Sequence, residues 1–236
     1  MGTQQMVLQQ YASLMGLRAL RQDPRQQRLW EIAIQKTLLP LLPPDRNSAI
    51  LDMGCGDGAL LQLLKRHGYT NLRGFDASAE NVASCHAAGI EGVESEDLLQ
   101  IEDFHPGTTW DVLIAWDVIE HLPKDAIAPM LDSARKRLAP GGRLLLQTPN
   151  MGSVFAAYCR YNDVTHESGF TENSLETLLH AAGFKTVTVL PAWRKVTPAG
   201  RIRELGLLIT HRLFWQFYGN GAPKIASANL IAKALP

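Results

Sequence analysis

The stretch Ile50-Leu51-Asp52-Met53-Gly54-Cys55-Gly56-Asp57-Gly58-Ala59 constrains this chain more than any other. A short apolar run reaches an acid and then passes into alternating glycines. Such a run reads as a strand buried on both faces, the kind found in parallel sheets. The glycines permit the left-handed backbone of a tight turn into a helix. A second run, Leu72 to Asp76, also ends in an acid, 24 residues after Asp52.

The same alternation continues along the chain. Strands are expected at about 48–53, 72–76, 90–93, 110–116, 143–148, 185–190 and 227–234. Helices are expected at 59–67, at 81–88 behind a Ser78 cap, at 126–138, and at 171–182 behind a Thr cap. Strands alternating with helices predict an α/β, doubly wound and largely parallel sheet. Residues 1–42 carry helical spacing broken at Pro24, and Pro43-Pro44 punctuates the chain after them. The expected organisation is an N-terminal helical cap at 1–45 and a main domain at 46–236. Within that domain, 150–170 and 193–226 break the alternation and read as lid inserts.

Composition narrows the partners. Lys plus Arg equals Asp plus Glu, 23 each, so no global field favours nucleic acid or an anionic membrane. The three cysteines, Cys55, Cys85 and Cys159, have no metal-ligand spacing and an odd count, which predicts reduced thiols. No uncharged apolar run approaches the roughly 20 residues that span a bilayer, and no signal-like pattern opens the sequence. A soluble, cytoplasmic chain is expected.

The acid-and-glycine layout is the one by which an α/β sheet holds an adenosine-containing ligand at the carboxyl end of its first strand. Gly54, Gly56 and Ala59 also satisfy a dinucleotide pattern. Asp57, however, would set a like charge against a pyrophosphate in a confined site. S-adenosylmethionine has no phosphate, and its ammonium and sulfonium would be opposed by Asp52 and Asp57. Asp76 is placed to accept from both ribose hydroxyls. Asp97 is placed to accept from an adenine amino group, with Leu98 against the base.

Five motifs then occur in order: Leu51 to Gly58, Gly74-Phe75-Asp76, Glu96-Asp97-Leu98, Trp116-Asp117-Val118-Ile119-Glu120-His121-Leu122, and Leu138-Ala139-Pro140-Gly141-Gly142. In these the chain, over roughly 48–190, resembles the class I S-adenosylmethionine-dependent methyltransferases. The resemblance implies a Rossmann-like, seven-stranded sheet whose last strand is antiparallel. It also implies a cofactor-binding set of Asp52, Gly54, Cys55, Gly56, Asp57, Gly58, Asp76, Ala77, Asp97, Leu98, Asp117 and Val118. Thr148-Pro149-Asn150 with Asp163 to Thr171 is similar to the branch found in bacterial glycan and O-antigen pathways, and also to ubiquinone-biosynthesis O-methyltransferases.

A hydroxyl acceptor with a high pKa needs a general base. His166, in a polar loop after the fifth strand, is the leading candidate; alternatively it caps the helix near Thr171 or fastens the loop. His121 is the second candidate, with the alternative of a histidine that shapes the pocket. Asp163 and Glu167 flank His166 and either orient it or are solvated charges. Glu120 is assigned to holding local backbone. Tyr11, Arg18 and Arg21 are candidates to line an acceptor site, and Tyr11, Asp163 and His166 form the expected substrate-binding set. No tight ligand spacing demands a metal, and none is expected. The segment 201–218, basic at its start and aromatic at its end, reads as a lid, a dimer contact or a membrane-surface contact.

The expected activity is O-methylation of a sugar-containing or other small hydroxylated metabolite. The alternatives are a quinone or lipid-linked O-methyltransferase, an N-methyltransferase, a nicotinamide-dependent oxidoreductase, or a non-catalytic cofactor-binding subunit. A homodimer is also allowed.

Overall fold

The computed structural model describes Val7 and residues 23–192, 198–219 and 222–236. Tyr11, Arg18 and Arg21 lie outside the described residues. The strands are β1 (Ile50–Met53), β2 (Leu72–Asp76), β3 (Val93–Ser95), β4 (Trp110–Trp116), β5 (Leu138–Pro149), β6 (Thr186–Pro191) and β7 (Asn229–Leu235). They form one seven-stranded sheet in the order β3-β2-β1-β4-β5-β7-β6. β1 pairs in parallel with β2 and β4, while β7 runs antiparallel to both β5 and β6. From residue 23 on, the α-helices among the described residues are α1 (Pro24–Thr37), α2 (Ala59–Arg66), α3 (Ala79–Ala87), α4 (Lys124–Lys136), α5 (Ala156–Tyr161), α6 (Glu172–Ala181) and α7 (Pro198–Tyr218).

The period of two in the strands sorts the core. Leu51, Met53, Leu113 and Leu144 point to one face, where α4 brings Ile127 and Leu131 and α6 brings Leu175 and Leu179. Their chain neighbours Ile50, Val112, Ile114 and Leu145 point to the other, against Ile34 of α1 and Leu60 and Leu64 of α2. Both faces are covered, as a parallel sheet requires. α1 therefore packs as part of the core.

Side-chain caps fix several boundaries. The Ser78 hydroxyl accepts from the Asn81 amide, and Thr171 and Ser174 form a capping box at the start of α6. Asp23 caps α1, whose first residue is Pro24, so the proline starts this helix.

Most boundaries shift by no more than two residues from the sequence reading, and two larger differences have a visible cause. The third strand begins at Val93, because Gly89 and Gly92 take positive φ and the Ile90 amide folds back onto the Cys85 carbonyl. Ile90 thereby closes α3, its side chain lying against Gly58 and Cys85. β5 begins at Leu138, ahead of the glycine pair. Trp110 pairs with Leu138 and Val112 with Arg143, so Ala139-Pro140-Gly141-Gly142 is taken up as an irregularity within the strand.

Candidate active site

The carboxyl ends of β1, β2, β4 and β5 bring the site together. At the end of β1, Gly54 has φ +76° and Gly56 φ +56°. A Cβ on Gly54 would meet Val118 Cγ2 at 2.8 Å, while one on Gly56 would meet nothing within 4 Å. The loop is thus pressed against Val118 on one side and open on the other. The Gly54 and Cys55 amides both donate to the Phe75 carbonyl, stitching the turn to β2.

Asp76 is the latch of this loop. Its Oδ2 accepts from the Gly56 amide at 2.8 Å, and its Oδ1 from the Ser78 amide at 2.9 Å and Asn81 Nδ2 at 3.1 Å. A carboxylate has about four acceptor positions, so most of Asp76 is already engaged by the chain. Asp52 is buried beneath the loop and Leu98 is buried beside the exposed Asp97. The Asp97 Oδ1 caps the short helix Leu98–Gln100 through the Leu99 amide. Asp57 Oδ1 accepts from the Ala59 amide, and Ala77 is exposed next to Asp76. Cys55 Sγ is held as the thiol by its hydrogen bond with Cys85, by burial and by Asp52. The Cys55 side chain is buried in a small apolar cluster with Leu61, Val82, Cys85 and Val93.

Asp117 follows β4 with φ +57°, a conformation rarely adopted outside glycine. Gln147 Nε2 donates to both of its carboxylate oxygens, at 3.0 and 2.9 Å, and aims the acid out from the sheet edge. A small cleft beside it is lined by Trp30, Ile34 and Thr37 of α1 together with Trp116, Asp117 and Gln147.

Next to this lies a cluster the sequence only half discloses. His121, in the turn Ile119–His121, and His166, in the loop after α5, stand with ring centroids 4.8 Å apart. The Thr165 hydroxyl donates to Asp163 Oδ1 at 2.6 Å, so at 2.8 Å it accepts from His121 Nδ1–H. His166 Nδ1–H donates to the Cys159 carbonyl at 2.9 Å. Both imidazoles therefore carry their lone pair on Nε2 when neutral. Asp163 is buried, and its Oδ2 lies 3.9 Å from His166 Nε2. Burial first, then the neighbouring His166, pull the His121 pKa from 6.5 to about 4.

Glu120 completes the cluster. It is 1% exposed; its Oε2 accepts from Thr148 Oγ1 at 3.1 Å, and its Oε1 is buried with no hydrogen-bond partner among the described residues. Burial, and then Asp117, raise its pKa well above the ordinary 4.5. One donor atom from each of Glu120, His121 and His166 lies within 4.8 Å of the others, a group able to hold a metal ion. The Glu120 main-chain carbonyl accepts from the Glu167 and Ser168 amides, a contact that does not depend on the side chain. Its carboxyl, though, faces the site. The signal for this was an acid set among Val118, Ile119 and Leu122. His166 fastens its loop through Cys159, while the cap of α6 is Thr171 itself. The Glu167 carboxylate is not part of the cluster: Glu167 is exposed and contributes backbone.

A latched glycine loop and a strand-end acid at the carboxyl edge of a mostly parallel sheet define a ligand-binding domain of the Rossmann-like class. A family model described as "Methyltransferase domain" matches residues 25–189, more than half of the chain, and the chain belongs to that family. Among curated proteins it is similar to the ubiquinone biosynthesis O-methyltransferase of Hydrogenovibrio crunogenus, 29% identical over 153 residues, covering 58% of this chain and 62% of that one. It is also similar to that of Psychrobacter arcticus, 34% identical over 111 residues and covering 43% and 40%. The chain thus spans about half the length of the curated relatives it matches. Among solved structures, a SAM-dependent methyltransferase from Archaeoglobus fulgidus superposes with a TM-score of 0.67 at 18% identity, covering 88% of this chain and 93% of that one. A complex described as DhpI-SAM-HEP superposes with a TM-score of 0.63 at 16% identity over 100% of both chains.

Proposed function

We propose that this chain is an S-adenosylmethionine-dependent O-methyltransferase, acting on a hydroxylated ring of the quinone-precursor class with His166 as general base. The reading rests on the Glu120–His121–His166 cluster at the ligand edge of the sheet, since only an acceptor that must lose a proton calls for such groups. The named curated relatives support a quinone-type acceptor over the sugar-containing one that the sequence motifs favoured.

The residues fit the donor. Gly56 leaves open space where a side chain would intrude, and Asp52, Asp57 and Asp117 supply acids toward an ammonium and a sulfonium. The bound donor supplies a methyl group already activated by its positive sulfur. Asp76 Oδ2, with the Gly56 amide as its one partner among the described residues, has capacity for a ribose hydroxyl. Oδ1 is taken by Ser78 and Asn81, so Asp76 accepts one such hydroxyl directly and not both. Asp97 and Leu98 serve the adenine.

Trp30 and Trp116 wall the cleft beside Asp117 and present flat apolar surface to the acceptor ring. His166 Nε2 takes the acceptor's proton, and Asp163 Oδ2 stabilises the imidazolium that results. His121, held neutral, does not compete for that proton near pH 7. Aligning acceptor and donor is worth several kcal/mol by itself.

A second reading is favoured by one observation, the partnerless buried oxygen of Glu120. A divalent cation held by Glu120, His121 and His166 would satisfy that oxygen and lower the pKa of a bound hydroxyl.

The deciding experiment supplies methyl-labelled donor with a prenylated catechol in one reaction and a mixture of nucleotide sugars in another. Label on the catechol is the expected result; label on the sugars alone would overturn the acceptor class. Repeating the reaction with and without chelator separates the free-base route from the cation route.

A further inference from the structure

α7 is amphipathic the wrong way round for a helix of a soluble core. Its buried side carries His211, 2% exposed, whose Nε2–H donates to the Pro223 carbonyl at 3.0 Å. Glu204 turns a carboxylate oxygen to the same side, where it is shielded from solvent. The outward side carries Ile202, Leu205, Ile209, Leu213 and Phe217, spaced by three or four residues and therefore on one stripe. Ile202 is 72% exposed, Leu213 51% and Phe217 92%. Folding gains nothing from leaving these groups in water, since apolar surface stabilises a fold only when it is removed from solvent.

The charges around the stripe select its partner. At 100° per residue Arg201 and Arg212 fall along one border and Arg203 along the other, and all three are exposed. Glu204, the helix's single acid, is on the inward side. An apolar stripe edged by arginines fits an anionic bilayer surface, with the side chains in the acyl boundary and the guanidiniums among phosphates. A second copy fits poorly. A two-fold antiparallel contact between two α7 helices would bring Arg201 and Arg203 toward the partner's Arg212, like against like.

The position of α7 agrees with this. Pro223, which His211 holds, lies 3.4 Å from where a Cβ on Gly152 would stand, and Gly152 follows the carboxyl end of β5. The short α5 leaves the same strand end and exposes Tyr158 and Tyr161, with Arg160 over the Tyr161 ring at 5.5 Å. Among the described residues no helix is long and apolar enough to cross a membrane. α7 would lie on the surface.

We infer that α7 is a membrane-docking helix that seats the ligand edge of the sheet on an anionic lipid surface. Its partner is the phosphate-bearing bilayer surface itself, through which a lipid-soluble acceptor would reach the cleft.

The test uses the full chain with phosphatidylcholine vesicles, alone or mixed with phosphatidylglycerol, at low and high salt. The expected result is co-flotation with the mixed vesicles only, weakened by salt. Each arginine near an anionic surface contributes on the order of fivefold in partitioning. Arg201→Gln/Arg203→Gln/Arg212→Gln together should therefore lower binding roughly a hundredfold. Leu205→Ser/Ile209→Ser/Leu213→Ser should abolish it, with unchanged circular dichroism and melting confirming that the variants fold. No flotation, or flotation indifferent to both triple variants, overturns the inference. So does a concentration-dependent dimer that Leu205→Ser/Ile209→Ser/Leu213→Ser dissolves, which would give the face to a second copy. The assay contains neither methyl donor nor acceptor, so its failure leaves the methyl-transfer reading where it stood.

Discussion

His121 and His166 face each other at 4.8 Å between ring centroids, tilted by 57°, although one belongs to the turn after β4 and the other to the loop before α6. Each ring is oriented by a bond from its Nδ1, to Thr165 and to Cys159. In each neutral ring these bonds leave the Nε2 lone pair free to accept.

Removing that nitrogen from His166 should abolish most of the chemistry and little of the binding. His166→Ala is expected to lower turnover about 10²–10⁴-fold, with calorimetric affinity for S-adenosylhomocysteine unchanged. Retained turnover would remove His166 from the mechanism.

The depressed pKa of His121 gives stability a pH slope of known sign. In chelator-treated buffer the folded chain takes a proton there near pH 4, whereas the unfolded chain does so near 6.5. Between those values the unfolded state binds more protons, so stability falls as pH falls from 6.5 towards 4. The contribution is up to about 3 kcal/mol. Urea titrations across this range should show the slope, and His121→Gln should flatten it.

Glu120 slopes the other way. Its folded pKa is raised above 4.5 by burial, then by Asp117, so the folded chain keeps a proton the unfolded chain has released. Stability from this group is lost as pH climbs above 4.5. Without metal at neutral pH, Glu120→Gln should be more stable than the wild type by about 1–3 kcal/mol. Thermal denaturation of the two proteins side by side measures it.

Metal addition discriminates the two proposed routes. If a cation binds the cluster, manganese at a hundred times its dissociation constant stabilises the wild type by about 2.7 kcal/mol, and Glu120→Gln loses that gain. Wild-type melting indifferent to magnesium, manganese and zinc would leave His166 as the unassisted base.

Gly54→Ala tests the loop. A Cβ there would press on Val118 Cγ2 at 2.8 Å in a backbone at φ +76°. The variant should lose about 1–3 kcal/mol of stability and most donor affinity; affinity equal to wild type would mean the loop does not form the donor site.

How much of this was legible in the sequence depended on whether the signal was local. β2 and β4 fall where their apolar runs predicted, and Ser78 and Thr171 cap the helices they were expected to cap, because strand period and capping act over a few residues. The shift of β3 to Val93 came from two glycines that loop the backbone out, which apolar content does not report. The cluster was the least visible. Glu120 beside His121 looked like a backbone-holding turn, and only the return of the Asp163–His166 loop turns the pair into a three-sided centre. Such convergence is a property of topology, and no spacing along the chain encodes it.

The latch made by Asp76 has a bearing on the catalytic cycle. Its bonds to Gly56, Ser78 and Asn81 come from the chain itself and need no ligand atom to complete them. Departure of the spent donor therefore strands no amide and leaves the loop in its receiving shape.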